Sequence, residues 1–361
     1  MMSAEEVAQR VVRDGVAPLA AAGWGRYAGT DAGPPALETG GATATYFDLA
    51  SVTKPMTALA IALAGLAPAA PLGELVEEAR GTPSERLPLE LFLAHRAGLD
   101  AHRTLYAPLL RGEPVDVSAA LHEAASARRE DAKGEPPSPE GFAPLYSDLG
   151  YVLAGVALAR GTGAVDAGEA IERLVLAPMG LSAEAGTVRG LAQRGVHGPS
   201  APSAPLAPFA PFAPTETVPW RGGEVKGAVH DENAWALTGL GGSGHAGIFG
   251  RVDAVLRFGC EALDVVARHP WLVRARPGGT LRAGFDGKSS PPELSSAGQL
   301  MGPNAFGHLG FTGTSLWIDP DARVVVTLLT NRVCPTRDHI AIRAARPVAH
   351  DALFEAAMQR G

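Results

Sequence analysis

The chain has 361 residues, 46% of them apolar, enough for two domains or one large one with a substantial core, and a formal net charge of −7. Acidic residues outnumber basic ones, 38 against 31, and no Lys/Arg run stands out, which argues against a nucleic-acid partner, because such a partner needs a basic face. No apolar run reaches the roughly twenty residues that cross a bilayer, and two cysteines, Cys260 and Cys334, are too few for a disulfide framework and are expected as free thiols.

In chain order, residues 4–13 alternate apolar with charged side chains and read as an amphipathic helix. They lack the apolar stretch of a secretory signal, so the expected location is the cytoplasm. Residues 16–27 and 43–48 read as strands separated by a Gly- and Pro-rich loop. The tetrad Ser51-Val52-Thr53-Lys54 then opens an Ala- and Leu-rich run. Proline is tolerated only in a first helical turn, so Pro55 predicts a helix beginning near Ser51 or Val52 and running to about Leu66. Side chains three residues apart share a helix face, which brings the Lys54 ammonium to the Ser51 oxygen. A helix N-terminus and an ammonium both favour a developing alkoxide, and Ser51 is therefore a candidate nucleophile.

Beyond this helix the pattern stays helical over residues 87–95, 115–129, 146–160 and 167–176, with a charged, Pro-rich surface loop at 130–144. Prolines at 199, 202, 205, 208, 211 and 214 recur every third residue. That period matches a polyproline II helix, read as a stiff connection rather than as a ligand for a proline-binding module. The run from Gly239 to Gly244 satisfies G-x-G-x-x-G, but no buried strand precedes it and no helix follows, so it is read as a loop and not as a dinucleotide site. His230, Asp231 and Glu232 suggest helix capping. The ten histidines are scattered with no H-x-H or H-E-x-x-H, and neither a metal nor a cofactor is expected. Residues 252–269 predict a helix, 314–318 and 323–329 a hairpin joined by Asp319-Pro320-Asp321-Ala322, and 338–359 a terminal helix kinked or broken at Pro347.

Three short boxes occur in a fixed order: Ser51-Val52-Thr53-Lys54, Tyr146-Ser147-Asp148 and His308-Leu309-Gly310. With the segments Leu93-Ala94-His95-Arg96-Ala97-Gly98-Leu99 and Gly244-His245-Ala246-Gly247-Ile248-Phe249, they resemble the serine β-lactamase and penicillin-binding-protein superfamily. The nearest likeness is to class C β-lactamases and their relatives, the family VIII esterases, D-aminopeptidases and acyltransferases, and it extends from about Thr43 to about Arg337. The resemblance implies an α+β fold in which N- and C-terminal segments share one antiparallel sheet flanked by helices. The expected division is a discontinuous sheet domain, 1–66 with 230–361, and a helical insert, 67–229, that includes the Pro-rich connection 199–219. The active site would lie between them.

By the same resemblance Ser51 is the nucleophile, Lys54 its activator and Tyr146 the proton shuttle, a reading preferred over registering Ser147-Asp148-Leu149 against the S-D-N box of class A enzymes. The backbone N–H groups of Ser51 and Phe311 would hold the oxyanion, and Gly310 would let substrate lie against the strand edge. Two positions depart from the pattern. Asp148 stands where the family has Asn and, as an acceptor only, is expected to pair with Lys54. His308 replaces the lysine of K-T-G, a permanent cation, which favours esterase-like members over efficient lactam hydrolysis. His245 is a further candidate at the cleft, and Arg332 and Arg337 are candidates for binding a substrate carboxylate. The expected function is a serine hydrolase acting on a small ester or amide. Esterase ranks first, then D-aminopeptidase or amidase and β-lactamase. An acyltransferase or a silent penicillin-binding sensor is the alternative, and no membrane partner is expected.

Overall fold

A computed structural model describes residues 2–27, 34–134, 138–196 and 211–360. Most of the proline repeat, including prolines 199, 202, 205 and 208, lies outside the described residues. The framework is a six-stranded antiparallel sheet built from both ends of the chain. Its strands are β1 (Ala20–Arg26), β2 (Ala36–Gly41), β3 (Asp286–Gly287), β4 (Phe306–Leu309), β5 (Ser315–Asp319) and β6 (Val324–Thr330), in the order β2-β1-β6-β5-β4-β3. The N-terminal β1 pairs with the C-terminal β6 from Ala20 opposite Thr330 to Arg26 opposite Val324. That pairing is the closure the resemblance implied.

Side-chain alternation explains why β6 is buried throughout and mostly apolar. Val324, Val326 and Leu328 enter one core with Ala20, Ala22 and Trp24 of β1, beneath α1 (Ala4–Arg13) and the C-terminal α5 (Ile342–Arg360). Val325 and Leu329 enter a second core with the helices on the opposite face. A central strand covered on both sides has no polar face to show. Helix α1 is amphipathic as expected and begins in a capping box, the Glu6 N–H donating to Ser3 Oγ at 3.2 Å and the Ser3 N–H to Glu6 Oε2 at 2.7 Å.

Three local expectations need correction. The segment read as a Gly- and Pro-rich loop contains strand β2, and Gly40 and Gly41 do not break it. A Cβ on Gly40 would collide with the backbone of Glu5, so that glycine lets α1 press against an edge strand. Of residues 43–48 only Phe47–Asp48 is strand, and it belongs to a separate small sheet with Phe249–Gly250 and Ala185–Gly186. Helix α5 starts at Ile342 and runs through Pro347 without a break. Pro347 falls in the second turn, where only one ladder bond is forfeited. The hairpin turn forms as predicted, Asp319 Oδ1 accepting from the N–H groups of Asp321 and Ala322, both at 3.0 Å.

The second core surrounds α2 (Thr53–Leu63), with α3 (Asp148–Thr162) and α4 (Val252–Arg268) among the elements packed around it. Nearly every residue of α2 is buried. The glycine-rich run 239–244 follows a short helix, Glu232–Thr238, and presses on α3, where a Cβ on Gly244 would meet the carbonyl of Tyr151. Its glycines serve backbone packing, in keeping with the loop reading. Among the described residues no helix is long and apolar enough to cross a membrane.

Candidate active site

Ser51 lies in a 3-10 turn, Ala50–Val52, that leads directly into α2. Ala50 has φ +48°, a left-handed conformation unusual for a residue with a side chain, and it brings the chain sharply into the helix. Pro55 is the third residue of α2, within the first turn where its missing N–H costs nothing. The geometry expected from the i, i+3 spacing is present: Lys54 Nζ is 2.9 Å from Ser51 Oγ.

The Lys54 side chain is fully buried, which an isolated ammonium does not tolerate. Asp148, the first residue of α3, resolves this with Oδ1 at 2.7 Å from Nζ. Burial alone would push the Lys54 pKa down, but Asp148 and Tyr146 outweigh it and hold the ammonium above its ordinary value. Burial likewise disfavours the Asp148 carboxylate, and Lys54 overrides it, so Asp148 stays below the usual range. The pair is ionised, as the Asn-to-Asp departure suggested it would be. Ser147 donates from Oγ to the carbonyl of Asp100 at 2.6 Å. Tyr146 meets Ser51 and Lys54 instead, with Nζ 4.7 Å from its ring centroid.

Tyr146 is stacked by His95 at 4.5 Å between ring centroids and approached by His308 at 5.9 Å. The sequence assigns His95 no role of its own. It adopts a left-handed φ of +59°, and its Nδ1 accepts the N–H of Ser147 at 3.0 Å, which leaves the ring proton on Nε2. His308 has the opposite tautomer: its Nδ1 is 2.8 Å from the Leu309 carbonyl, which only accepts, so Nδ1 carries the proton. Burial, reinforced by repulsion from Lys54, pushes both imidazoles down to about 3. His308 is therefore not a cation in the K-T-G position, and it cannot replace that lysine's charge.

A third buried imidazole, His350, bonds Ser315 Oγ at 2.8 Å and the Ser296 carbonyl at 2.6 Å, and burial lowers it to about 4. All three remain neutral in the fold while their unfolded counterparts take up protons below about 6.5. Stability is then fully present above that pH and is lost as pH falls toward 4, by about 1.4 kcal/mol per unit for each histidine. The urea midpoint is expected to fall steeply between pH 6.5 and 4.5; a flat midpoint across that window would contradict the neutral assignments.

Ser51, Tyr146, Asp148, Gly310 and Phe311 line one cleft of about 500 Å³. Phe311 sits just past the end of β4, in the turn that follows Gly310, and not within the strand as expected. The turn is closed by Gly310 N–H to the Thr314 carbonyl at 2.7 Å, which ends the ladder one residue earlier. The N–H of Ser51 is one of the first-turn donors a helix leaves without an internal partner. His245 does not line this cleft. It is buried behind it, Nε2 at 2.8 Å from Asp231 Oδ1 and Nδ1 at 3.1 Å from Ser243 Oγ. Asp231 lines the cleft and also caps the helix Glu232–Thr238 through the Ala234 N–H at 2.8 Å. Burial would raise Asp231, but His245 and that cap bond hold it well below the usual carboxylate range.

Four arginines line the far wall: Arg332, Arg337, Arg343 and Arg346. The two picked out from the sequence are occupied by the protein. Arg332 binds the carbonyls of Phe311, Arg337 and His339, and Arg337 pairs with Glu216 and Glu232. Arg346 donates to the carbonyls of Gly310 at 2.7 Å and Thr314 at 3.0 Å. Arg343 is on the exposed side of α5, and its guanidinium forms no hydrogen bond or ion pair among the described residues. A polar-looking C-terminal helix gave no signal that its arginines would face the nucleophile. Among the described residues no three His, Cys, Asp or Glu side chains gather as a metal site.

An antiparallel sheet closed by both termini, with a serine–lysine pair at the start of a buried helix, defines the serine hydrolases of the β-lactamase and transpeptidase fold. The Beta-lactamase family model matches residues 6–350, and the chain belongs to that family. A class C β-lactamase from Rhodobacter sphaeroides superposes with a TM-score of 0.64 over 96% of this chain and 98% of its own, at 16% identity. A family VIII carboxylesterase does so with a TM-score of 0.59 over 95% of each chain, also at 16% identity. At such identities the likeness is one of fold. Among curated proteins, a putative D-alanyl-D-alanine carboxypeptidase of Salmonella heidelberg (strain SL476) is 27% identical over 199 residues, which cover 52% of this chain and 45% of that one.

Proposed function

We propose that the protein is a cofactor-independent serine hydrolase that passes through an acyl-enzyme on Ser51, with small esters as its first substrates and amides next. The observation that carries this reading is the contact of Ser51 Oγ with Lys54 Nζ at 2.9 Å, beside Tyr146 and within an open cleft. Because Asp148 keeps Lys54 charged, the lysine acts as an electrostatic anchor and Tyr146 takes the proton. The Ser51 hydroxyl proton moves to the oxygen of the Tyr146 phenolate, the reactive minor form, as Oγ bonds the substrate carbonyl carbon. The tetrahedral oxyanion rests on the N–H groups of Ser51 and Phe311. Collapse expels the alkoxide or amine, which takes the proton back from Tyr146, and water then repeats the sequence to release the acid.

The arginine wall favours a substrate carrying a carboxylate, with Arg343 as the unengaged cation. This reading is compatible with the carboxypeptidase named among the relatives and places D-peptides beside acidic esters as substrates. Arg343→Ala is expected to raise KM for a carboxylate-bearing ester roughly threefold to tenfold, the range for an exposed charge-assisted contact. A neutral ester is expected to be unaffected. An equal rise for both esters would mean that Arg343 shapes the cleft without reading charge.

The central test is chemical. Fluorophosphonate treatment followed by intact and peptide mass spectrometry is expected to place one adduct on Ser51, and a p-nitrophenyl ester to turn over faster than a chromogenic cephalosporin. Labelling elsewhere removes Ser51 as nucleophile. A dominant cephalosporin rate reverses the substrate order, and a stable adduct with no turnover of any ester or D-peptide favours a penicillin-binding sensor.

A further inference from the structure

We propose that Asp48, three residues before the nucleophile, is a positioning residue: its carboxylate and the carbonyls of Asp48 and Leu49 tie the Ser51 turn to the Phe311 turn and to the His230–Asp231 segment, and thereby set the spacing of the two amides that receive the oxyanion. The proposal rests on Ser51 being the nucleophile. Asp48 is 2% exposed and forms no ion pair among the described residues, which marks it as a buried carboxylate held by something other than a cation. Both oxygens are spent on backbone donors. Oδ1 accepts the N–H of Ala50 at 2.8 Å, and Oδ2 accepts the N–H of His230 at 2.7 Å.

The first of these bonds acts on the residue whose φ of +48° aims Ser51 into the cleft. A short carboxylate that accepts the N–H two residues on locks such a turn locally. The second bond fastens the segment leading into Asp231, a wall of the same cleft. The carbonyls complete the junction. Thr312 Oγ1 donates to the Asp48 carbonyl at 2.7 Å and Thr314 Oγ1 to the Leu49 carbonyl at 2.9 Å, and both threonines are buried. Both hydroxyls belong to the turn that begins at Gly310 and follow Phe311 within it. Gly310 permits the approach, since a Cβ there would stand 2.6 Å from the Leu49 carbonyl oxygen. Leu49 also donates its own N–H to the Ile248 carbonyl at 3.0 Å, so residues 48 and 49 form a hub for three segments that are distant in sequence.

Oxyanion donors work by being fixed before the charge develops, so loosening the hub should slow chemistry without weakening ground-state binding. The experiment uses Asp48→Asn, which keeps one acceptor but turns an NH2 toward the other N–H, together with Thr312→Val, which cuts the link from the opposite side. Expected for both is a kcat on a neutral p-nitrophenyl ester lower by about tenfold to a hundredfold, with KM within about twofold and a parallel fall in the rate of fluorophosphonate inactivation. Circular dichroism and thermal unfolding report the folded fraction, and where Asp48→Asn does not fold, Thr312→Val supplies the same readout. Wild-type kcat in either folded variant overturns the proposal, as does a loss that only tracks the folded fraction. A wild-type protein inert to ester and label alike overturns the reading of Ser51 itself, whereas active wild type beside fully active Asp48→Asn overturns this inference alone.

Discussion

Lys54→Ala is expected to lose catalysis and stability together. The ammonium contacts the Ser51 oxygen at 2.9 Å and is the close cation beside Tyr146, so its removal is expected to lower kcat/KM by about a thousandfold, the upper range for removing one preorganised electrostatic partner. The same change strands Asp148, whose side chain is three-quarters buried, without a counter-ion. Breaking one side of a buried pair costs about 3 kcal/mol or more, which for a chain of this size lowers the melting temperature by roughly 4 °C or more. The double variant Lys54→Ala with Asp148→Asn separates the two effects. It removes the stranded charge and is expected to recover most of the stability while remaining inactive. Turnover surviving in the single variant would remove Lys54 from the mechanism.

Tyr146→Phe is expected to lower kcat by about a hundredfold to ten-thousandfold, the range for losing a positioned proton acceptor, with KM and stability little changed. Stability is spared because Lys54, Ser51 and Asp148 still satisfy one another. The pH profile gives the sharper signature. Burial pushes the Tyr146 phenol above its ordinary value of 10.0, and Lys54 opposes that only in part. The reactive phenolate is then a minor species near neutrality whose fraction grows about tenfold per pH unit. Lys54, itself held high, stays charged over the same interval. Wild-type kcat/KM should accordingly climb with a slope near one between about pH 7 and 9, and the residual rate of Tyr146→Phe should be flat. A wild-type profile flat across that interval would assign the proton to another acceptor.

The site departs from the three-box pattern in two places, and both make it more negative. Asp148 adds a negative charge where Asn would be neutral, and His308, kept uncharged at about 3, removes a positive one. The cations that face a substrate come from α5 instead, through Arg343 and Arg346. On the proposed reading, the recognition of negative charge moves from strand β4 to the C-terminal helix, and a histidine in the third box does not by itself argue against acidic substrates.

Much of the arrangement was legible because it is local. The Ser51–Lys54 contact follows from helical periodicity over three residues, the helix start from Pro55, the amphipathic α1 from its alternation of apolar and charged side chains and the β5–β6 hairpin from its Asp-Pro turn. The order of the boxes gave the fold class, since it fixed which segments must meet. What the tertiary structure alone decided is the state of those groups. Strand β2 was hidden because its glycines answer to α1, packed on it from more than thirty residues away. The charge on Lys54 depends on Asp148, 94 positions later, and the tautomers of His95 and His308 depend on which backbone group each ring meets. His245, a candidate from the sequence, lies behind the cleft, and Arg346, which no sequence signal singled out, enters its wall. Periodicity and turn chemistry act over a few residues and are written in the chain. Desolvation and ion pairing act between groups that only folding brings together, and they decide which of these side chains can carry a proton.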